Sequence, residues 1–140
     1  ADCIVGSQKF TMVLSESDVV VVILPLTPET KNLIDSKAFR TMKQGSFLIN
    51  VARGPIINEK ALVDALRSGP IAGAGLDVFN TEPLPKDSPL WNIPNVIMTP
   101  HVGGVSLRLW NRMIDLFFEN LDRRRKGLDL INIVDRARGY

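Results

Sequence analysis

The sequence has few of the residues that build disulfides, metal sites and membrane spans. Cys3 is the only cysteine and His101 the only histidine among 140 residues, which excludes an internal disulfide and a cysteine-rich metal site. The longest uninterrupted apolar run is Val19–Leu24, far shorter than the roughly 20 residues that cross a bilayer. No basic region followed by an apolar stretch opens the chain, so it does not begin like a signal peptide. We therefore expect a cytoplasmic protein without a metal and without a membrane partner.

An excess of charge of one sign is also missing. There are 17 basic and 15 acidic residues, a net charge of +2, which gives no reason to expect a nucleic-acid partner. Hydrophobic residues make up 45% and charged residues 23% of the chain, as in ordinary globular proteins. The length suits about one domain with a buried core.

Short apolar runs alternate with helical patterns along most of the chain. The helical patterns are Asp35–Met42 and Asn58–Gly69, and each begins with a residue that can cap a helix N-terminus. The runs predict four strands, which are Val19–Leu24, Ser46–Ala52, Ala72–Phe79 and Val96–Thr99. In the first strand the apolar residues form a continuous run and do not alternate with polar ones, which is typical of a strand buried on both faces. Strands that alternate with helices predict an α/β fold with one parallel, Rossmann-like sheet and right-handed crossovers.

The rest of the chain follows two other patterns. Prolines 83, 85, 89 and 94 predict that residues 80–95 form an extended surface loop without a regular element. A long helix is predicted over Ser106–Lys126, and its broad apolar face needs a second surface to cover it. The basic run Arg123–Lys126 lies in its last turn, where cations favour the negative end of the helix.

A glycine-rich dinucleotide turn is absent from the sequence. Such a turn, G-x-G-x-x-G, follows a strand and opens a helix whose N-terminus binds the pyrophosphate. The nearest match, Gly73–Val78, ends in valine and lies within a predicted strand. We interpret its glycines as sites of close strand–helix packing. The abrupt start of the chain suggests that it is the second half of a larger fold.

Candidate functional residues follow the carboxyl ends of the predicted strands, where parallel sheets bind ligands. Pro25, Arg53, Glu82 and His101 lie at or after these ends. An arginine can hold a carboxylate with two hydrogen bonds, and a histidine oriented by a carboxylate can pass a proton to an alkoxide. Asp77 could accept a hydrogen bond from a nicotinamide amide. Each residue also has a plain structural alternative: a solvated arginine in a turn, an acid in a proline-rich loop, and a histidine at the end of a strand.

The sequence resembles the D-isomer-specific 2-hydroxyacid dehydrogenases at four ordered motifs. These are Leu24–Thr30, Asn50–Pro55, Gly75–Leu84 and Thr99–Gly104. The resemblance covers nearly the whole chain and implies that residues 1–105 form the C-terminal half of an NAD(P)-binding domain. Residues 106–140 would then be a helix and tail that return to the substrate domain and share the interface of a homodimer. The ending Val134–Tyr140 is similar to the glyoxylate and hydroxypyruvate reductase branch.

The resemblance also implies roles for single residues. Arg53 would bind the substrate carboxylate, His101 would be the acid/base, and Glu82 would be its partner. The positions that would border NAD or NADP are Leu24, Pro25, Thr30, Val51, Ala52, Arg53, Asp77, His101 and Gly103. The residues that choose between the two cofactors, and nearly all of the substrate domain, have no counterpart in this sequence.

Two functions from different classes remain open at this point. The first is hydride transfer between NAD(P)H and a small 2-keto acid, with glyoxylate or hydroxypyruvate as substrate, and with no activity expected from residues 1–140 alone. The second is an NAD(H)-sensing interaction module, because corepressors related to this family keep a similar arginine, glutamate and histidine. A receiver-like signalling domain is disfavoured, since the first strand ends in Leu24–Pro25 rather than in clustered acids.

Overall fold

The computed structural model describes residues 3–139, which form two compact units that divide between His101 and Val102. The first unit is built on four parallel strands in the order β1 (Val19–Val22), β2 (Phe47–Asn50), β3 (Gly73–Leu76) and β4 (Val96–Met98). The strands end in line, because Val22, Asn50, Leu76 and Met98 lie opposite one another. The predicted α/β fold with a parallel sheet is therefore confirmed, and the segments that follow β1 to β4 leave from one edge.

Three short helices, one before β1 and one in each of the next two connections, pack on one face of the sheet. They are α1 (Phe10–Glu16), α2 (Ser36–Thr41) and α3 (Glu59–Ser68). The side chains of Asp35 and Asn58 cap α2 and α3 as the sequence predicts, accepting from the Ala38 and Ala61 amides at 2.8 and 3.0 Å. The apolar side of α3 joins alternate strand residues in the core, which is why the period of 3.6 in the sequence locates this helix correctly.

Only one face of the sheet is buried, so the prediction that the first strand is buried on both faces was wrong. Val20 and Val22 belong to the core, whereas Val19 and Val21 are 49% and 52% exposed. Phe47 and Ile97 are also exposed. The physical reason is that α1, α2 and α3 contribute their core residues to the same side of the strands.

Two local predictions need correction, and one helix was not predicted at all. The missed helix is α1, whose N-terminus lacks a side-chain cap and which buries only Leu14. The segment 80–95 is not wholly extended, because a 3₁₀ helix spans Pro89–Asn92. Proline is tolerated there since it occupies the first turn, where its missing N–H is not needed. Gly73 does not pack against a helix: a Cβ there would meet the Asn95 carbonyl at 2.8 Å and the Phe47 ring.

The second unit consists of one helix and a tail. Helix α4 spans Leu109–Arg125, three residues shorter at its N-terminus than predicted and one shorter at its C-terminus. Its apolar face is exposed, including Trp110 and Phe117. The side chain of Asn120 holds the tail by accepting from the Ile131 amide at 2.8 Å and donating to its carbonyl at 3.0 Å.

No helix among residues 3–139 is long and apolar enough to span a membrane. Tyr140, the last residue of the predicted reductase-like ending, lies outside the described residues.

Candidate active site

A carboxylate and an imidazole form a hydrogen-bonded pair just beyond the carboxyl edge of the sheet. His101 Nδ1 lies 2.7 Å from Glu82 Oε2. The other carboxylate oxygen, Oε1, accepts a hydrogen bond from the Phe79 amide at 2.9 Å. The hydrogen bond from His101, followed by that from the Phe79 amide, holds the pKa of Glu82 below its ordinary value of 4.5. An ionised carboxylate only accepts, so Nδ1 of the ring is the donor and Nε2 is left for another partner.

The backbone around the pair sets its geometry. The Thr99 amide donates to the Leu76 carbonyl at 2.9 Å and continues the pairing of β3 with β4. The His101 amide then donates to the Thr99 carbonyl at 3.0 Å. His101 has a φ of 56°, in the left-handed region that residues with a Cβ adopt infrequently. Strained backbone of this kind is concentrated at functional sites, which supports a functional interpretation of His101.

An open cleft of about 510 Å³ lies against this pair. Its polar lining comes from Glu82, Thr99 and His101, and its apolar lining includes Leu84 and Trp91. The His101 and Glu82 side chains are 43% and 34% exposed, so both remain accessible to a small polar molecule. A cleft with apolar walls and few convergent polar groups is the usual form of a small-molecule site.

Arg53 lies after the second strand and is exposed. Its Nη1 donates to the Ala52 carbonyl at 2.7 Å, which leaves the other guanidinium N–H groups for a ligand. Arg53 does not line the cleft described above, but its charge contributes to lowering the pKa of Glu82. The structure therefore brings Glu82 and His101 into contact and places Arg53 within electrostatic reach of the pair.

The next residue, Gly54, fits closely against the loop that carries Glu82. A Cβ at Gly54 would lie 2.0 Å from the Phe79 carbonyl carbon and 2.5 Å from the Asn80 nitrogen. Real Cβ atoms do not approach backbone so closely, so only glycine fits at this position. The backbone after Arg53 thus lies directly against the backbone that leads to Glu82.

Asp77 follows the third strand as a buried carboxylate. It is 5% exposed, and Thr99 Oγ1 donates to its Oδ1 at 2.5 Å. A carboxylate has several acceptor positions, and the Thr99 hydroxyl orients this one. The role of Asp77 at a nicotinamide amide stays a prediction.

The predicted cofactor loop after the first strand is held together by Thr30. Its hydroxyl donates to the Pro25 carbonyl and accepts from the Thr27 amide, each at 2.7 Å. These bonds are internal to the loop, so Thr30 shapes the loop through its hydroxyl. Leu24 is 43% exposed at the base of the loop. The Asn32 amide donates to the Pro55 carbonyl at 2.8 Å, which ties this loop to the turn after Arg53.

The remaining predicted cofactor residues differ in their surroundings. Val51 is exposed and Ala52 is buried, both directly after β2. Gly103 belongs to the unit Val102–Tyr140, in a turn closed by the Val105 amide on the Val102 carbonyl at 2.9 Å. The roles of all these positions remain predictions.

Sequence reasoning missed Asn50 and Thr99 as members of this site. Both are polar residues at or just beyond the end of an apolar strand. That position could have drawn attention to them, because a buried polar side chain must find a partner. The partners themselves come from neighbouring strands or from the turn that follows, and they become visible only in the fold.

The comparisons with known proteins point to one family. A family model described as "D-isomer specific 2-hydroxyacid dehydrogenase, NAD binding domain" matches residues 2–103. The chain is 42% identical over 129 residues to a glyoxylate reductase of Thermofilum pendens, covering 90% of this chain and 38% of that protein. It is 49% identical over 114 residues to glyoxylate/hydroxypyruvate reductase B of Cronobacter sakazakii, covering 81% of this chain and 35% of that protein.

Solved structures show the same likeness. The chain is 44% identical to a D-isomer specific 2-hydroxyacid dehydrogenase of Xanthobacter autotrophicus in complex with NADPH and MES, with a TM-score of 0.89. That match covers 96% of this chain and 55% of the other. An NADPH-dependent glyoxylate/hydroxypyruvate reductase of Sinorhizobium meliloti, solved with NADP and sulfate, is 32% identical with a TM-score of 0.87 and covers 96% of this chain and 43% of the other. The chain thus spans about half or less of the length of these proteins.

Proposed function

Because the chain belongs to the D-isomer specific 2-hydroxyacid dehydrogenase family, we propose that it supplies the acid/base pair and the carboxylate-binding arginine of a 2-keto acid reductase. The substrates are glyoxylate and hydroxypyruvate, and the reductant is NADH or NADPH. The names of the Thermofilum and Cronobacter relatives support the substrate class. The NADPH and NADP in two similar structures support a nicotinamide dinucleotide. Since the chain spans 35% to 38% of those two relatives, the activity belongs to a protein that carries this chain together with the remaining parts.

The observation that carries the proposal is the 2.7 Å contact of His101 Nδ1 with Glu82 Oε2 beside an open cleft. A carboxylate at one ring nitrogen fixes the orientation and the tautomer of the ring. The second nitrogen can then give a proton to a substrate oxygen within hydrogen-bond reach. A surface ion pair without an adjoining cleft would not have this arrangement.

The proposed reaction assigns one task to each side chain. Arg53 binds the substrate carboxylate, for which a planar guanidinium is suited. A reduced nicotinamide, when bound, supplies the hydride that adds to the substrate C2 carbon. His101 donates a proton from Nε2 to the carbonyl oxygen as that oxygen gains negative charge, and the product is a 2-hydroxy acid. Glu82 keeps the ring oriented and offsets the positive charge on its protonated form.

The residues present fit the nicotinamide end of the cofactor. Exposed apolar side chains at the ends of β1 and β2, Leu24 and Val51, offer a surface for a flat ring. The buried carboxylate of Asp77 offers an acceptor for the carboxamide. The pyrophosphate end has no matching glycine-rich turn in this sequence.

A chimera tests the proposal. This chain replaces the segment that it matches in the Thermofilum glyoxylate reductase, and reduction of glyoxylate and hydroxypyruvate is followed by loss of NADPH or NADH absorbance. We expect turnover with both keto acids. His101→Ala should lower kcat by roughly 10²–10⁴-fold, the usual effect of removing a general acid.

The controls separate chemistry from folding. Lys60→Gln changes an exposed residue of α3, a helix that contributes no residue to the cleft, and should leave kcat within about twofold, the size of a surface effect. A loss under about threefold in His101→Ala would remove His101 from the mechanism. A chimera that binds dinucleotide but reduces neither keto acid would favour the sensing module.

A further inference from the structure

Asn50, the last residue of β2, is a buried amide whose two ends are both used by the segment that leads to Arg53. It is 1% exposed. Its Oδ1 accepts from the Ala52 amide at 3.0 Å, and its Nδ2 donates to the Arg53 carbonyl at 3.1 Å. The sequence analysis assigned Asn50 no role.

The two hydrogen bonds require an amide at this position. A side-chain oxygen that accepts from the backbone amide two residues later forms an Asx-turn. The side-chain NH₂ of the same amide group then donates to the backbone carbonyl of the following residue, Arg53. Aspartate keeps the acceptor but loses the donor and brings a charge into a buried site. Leucine has a similar volume, but it would leave the Ala52 amide and the Arg53 carbonyl without their side-chain partner.

This turn fixes the backbone from which the Arg53 side chain extends. The bonds of Asn50 act on the residues on both sides of the Ala52–Arg53 peptide, so they fix the direction in which the Arg53 side chain leaves the sheet. On the far side, Gly54 lies against the Phe79 backbone with no room for a Cβ. The Phe79 amide in turn donates to Glu82. Asn50 and Gly54 therefore bracket Arg53 against the loop of the acid/base pair.

We propose that Asn50 is a positioning residue for Arg53, holding the guanidinium at the carboxylate-binding position by fixing residues 51–53. The inference rests on the proposed function, because it assigns a role to Asn50 in the same site. Misplacement of a substrate-binding group by about 1 Å can cost on the order of 10²-fold in rate. A loss of that size is expected although Asn50 touches no substrate.

A double-mutant cycle in the chimera tests whether Asn50 acts through Arg53. Asn50→Leu should lower kcat/KM for glyoxylate by about 10²-fold when Arg53 is present. In an Arg53→Ala background it should lower kcat/KM by less than about threefold, because a group acting through an absent partner has no further effect. The matched control is Leu48→Ala, since Leu48 is fully buried on the same face of the same strand. At a temperature below the melting point of this variant, Leu48→Ala should change kcat/KM for glyoxylate by less than about threefold in either background.

Two kinetic results would overturn the inference. One is an equal loss from Asn50→Leu in both backgrounds, and the other is a loss from Leu48→Ala that matches it, since each would mean general destabilisation.

A second readout needs only the 140-residue chain. Hydrogen exchange of the Ala52 amide, followed by NMR, should accelerate at least about tenfold in Asn50→Leu, because the amide loses its buried acceptor. An unchanged Ala52 exchange rate would show that Asn50 does not hold the turn. A chimera without keto acid reduction would instead refute the proposed function, and the exchange rate would still decide the structural part of the inference.

Discussion

Glu82 uses both of its oxygens, one on the Phe79 backbone and one on His101. A carboxylate held at two points cannot rotate without losing a hydrogen bond, so the imidazole has a fixed partner in a fixed direction. The lowered pKa of Glu82 means that folding favours the ionised form. This form is the one that can accept from Nδ1 and support a positive ring.

The pH dependence of stability follows from that shift. A carboxyl whose pKa is lower in the folded state than its ordinary 4.5 adds stability at pH values above 4.5. That stability is lost as the pH falls through the lower, folded pKa. We expect Glu82→Gln to melt below the wild type at pH 7 and the difference to vanish as the pH falls through the folded pKa of Glu82, which lies below 4.5. Thermal melts of both proteins across this range check it; a difference that grows on acidification would contradict the assignment. The effect is small, because a third of the side chain is exposed.

Arg53→Lys separates a carboxylate clamp from a brace for the Gly54–Pro55 turn. An ammonium keeps the charge but cannot make two parallel hydrogen bonds. In the chimera, KM for glyoxylate should rise and kcat should fall together, with kcat/KM lowered by about 10-fold or more, because part of this binding develops only in the transition state. Steady-state kinetics and the dissociation constant for NADPH are the measurements, and the latter should stay within about twofold. An unchanged kcat/KM with a lower melting temperature would support the brace instead.

At the scale of elements, the turn after β2 and the loop after β3 fit together through one glycine. Gly54→Ala should destabilise the chain by about 1–3 kcal/mol or more, because its Cβ would overlap the Phe79 backbone. Gly75→Ala is the matched control, since its Cβ would meet only the Ile49 side chain at 3.7 Å. That substitution should cost less than about 1 kcal/mol. Urea unfolding of both variants measures the difference; equal losses would mean that Gly54 is not a contact point.

The sequence predicts those elements whose signals are local. Helices α2 and α3 have side-chain caps within three residues, and the four strands are marked by their apolar runs. Helix α1 has no such signal, because it has no side-chain cap and no acidic residue in its first turn. Its position depends on burying Leu14, which is a tertiary contact and cannot be inferred from seven residues.

Some residues of the candidate site could be predicted from the sequence, but their contacts could not. Arg53, Glu82 and His101 could be proposed because the ends of parallel strands meet at one edge. The contact between Glu82 and His101 depends on the Phe79 amide and on the positive φ of His101, and neither follows from residue types. Asn50 was missed because a polar residue at the end of an apolar run has no evident role in the sequence. Its role depends on its hydrogen bonds to the Ala52 amide and the Arg53 carbonyl, which only the fold shows.

At the scale of the whole molecule, the proposed function places the nicotinamide end of a cofactor at the carboxyl ends of the strands, and the sequence has no turn that matches its pyrophosphate. We predict that the 140-residue chain binds NADH and NADPH weakly, because backbone donors at a helix N-terminus supply much of such binding. Calorimetric titration of both dinucleotides checks this. The chimera, with a complete turn, is the positive control. Low-micromolar affinity for the chain alone would contradict the prediction. The assignment of 1–105 to the cofactor domain, the homodimer and the cytoplasmic location remain predictions.

The arrangement of Glu82 and His101 has a consequence for the direction of the proposed reaction. With Nδ1 committed to the carboxylate, the neutral ring presents a lone pair at Nε2, and the protonated ring presents an N–H at the same place. The same atom can therefore accept the hydroxyl proton of a 2-hydroxy acid or return it to a keto acid, without any side chain moving. Oxidation and reduction would share one transition state, and the acidity of the medium and the supply of reactants would select the direction.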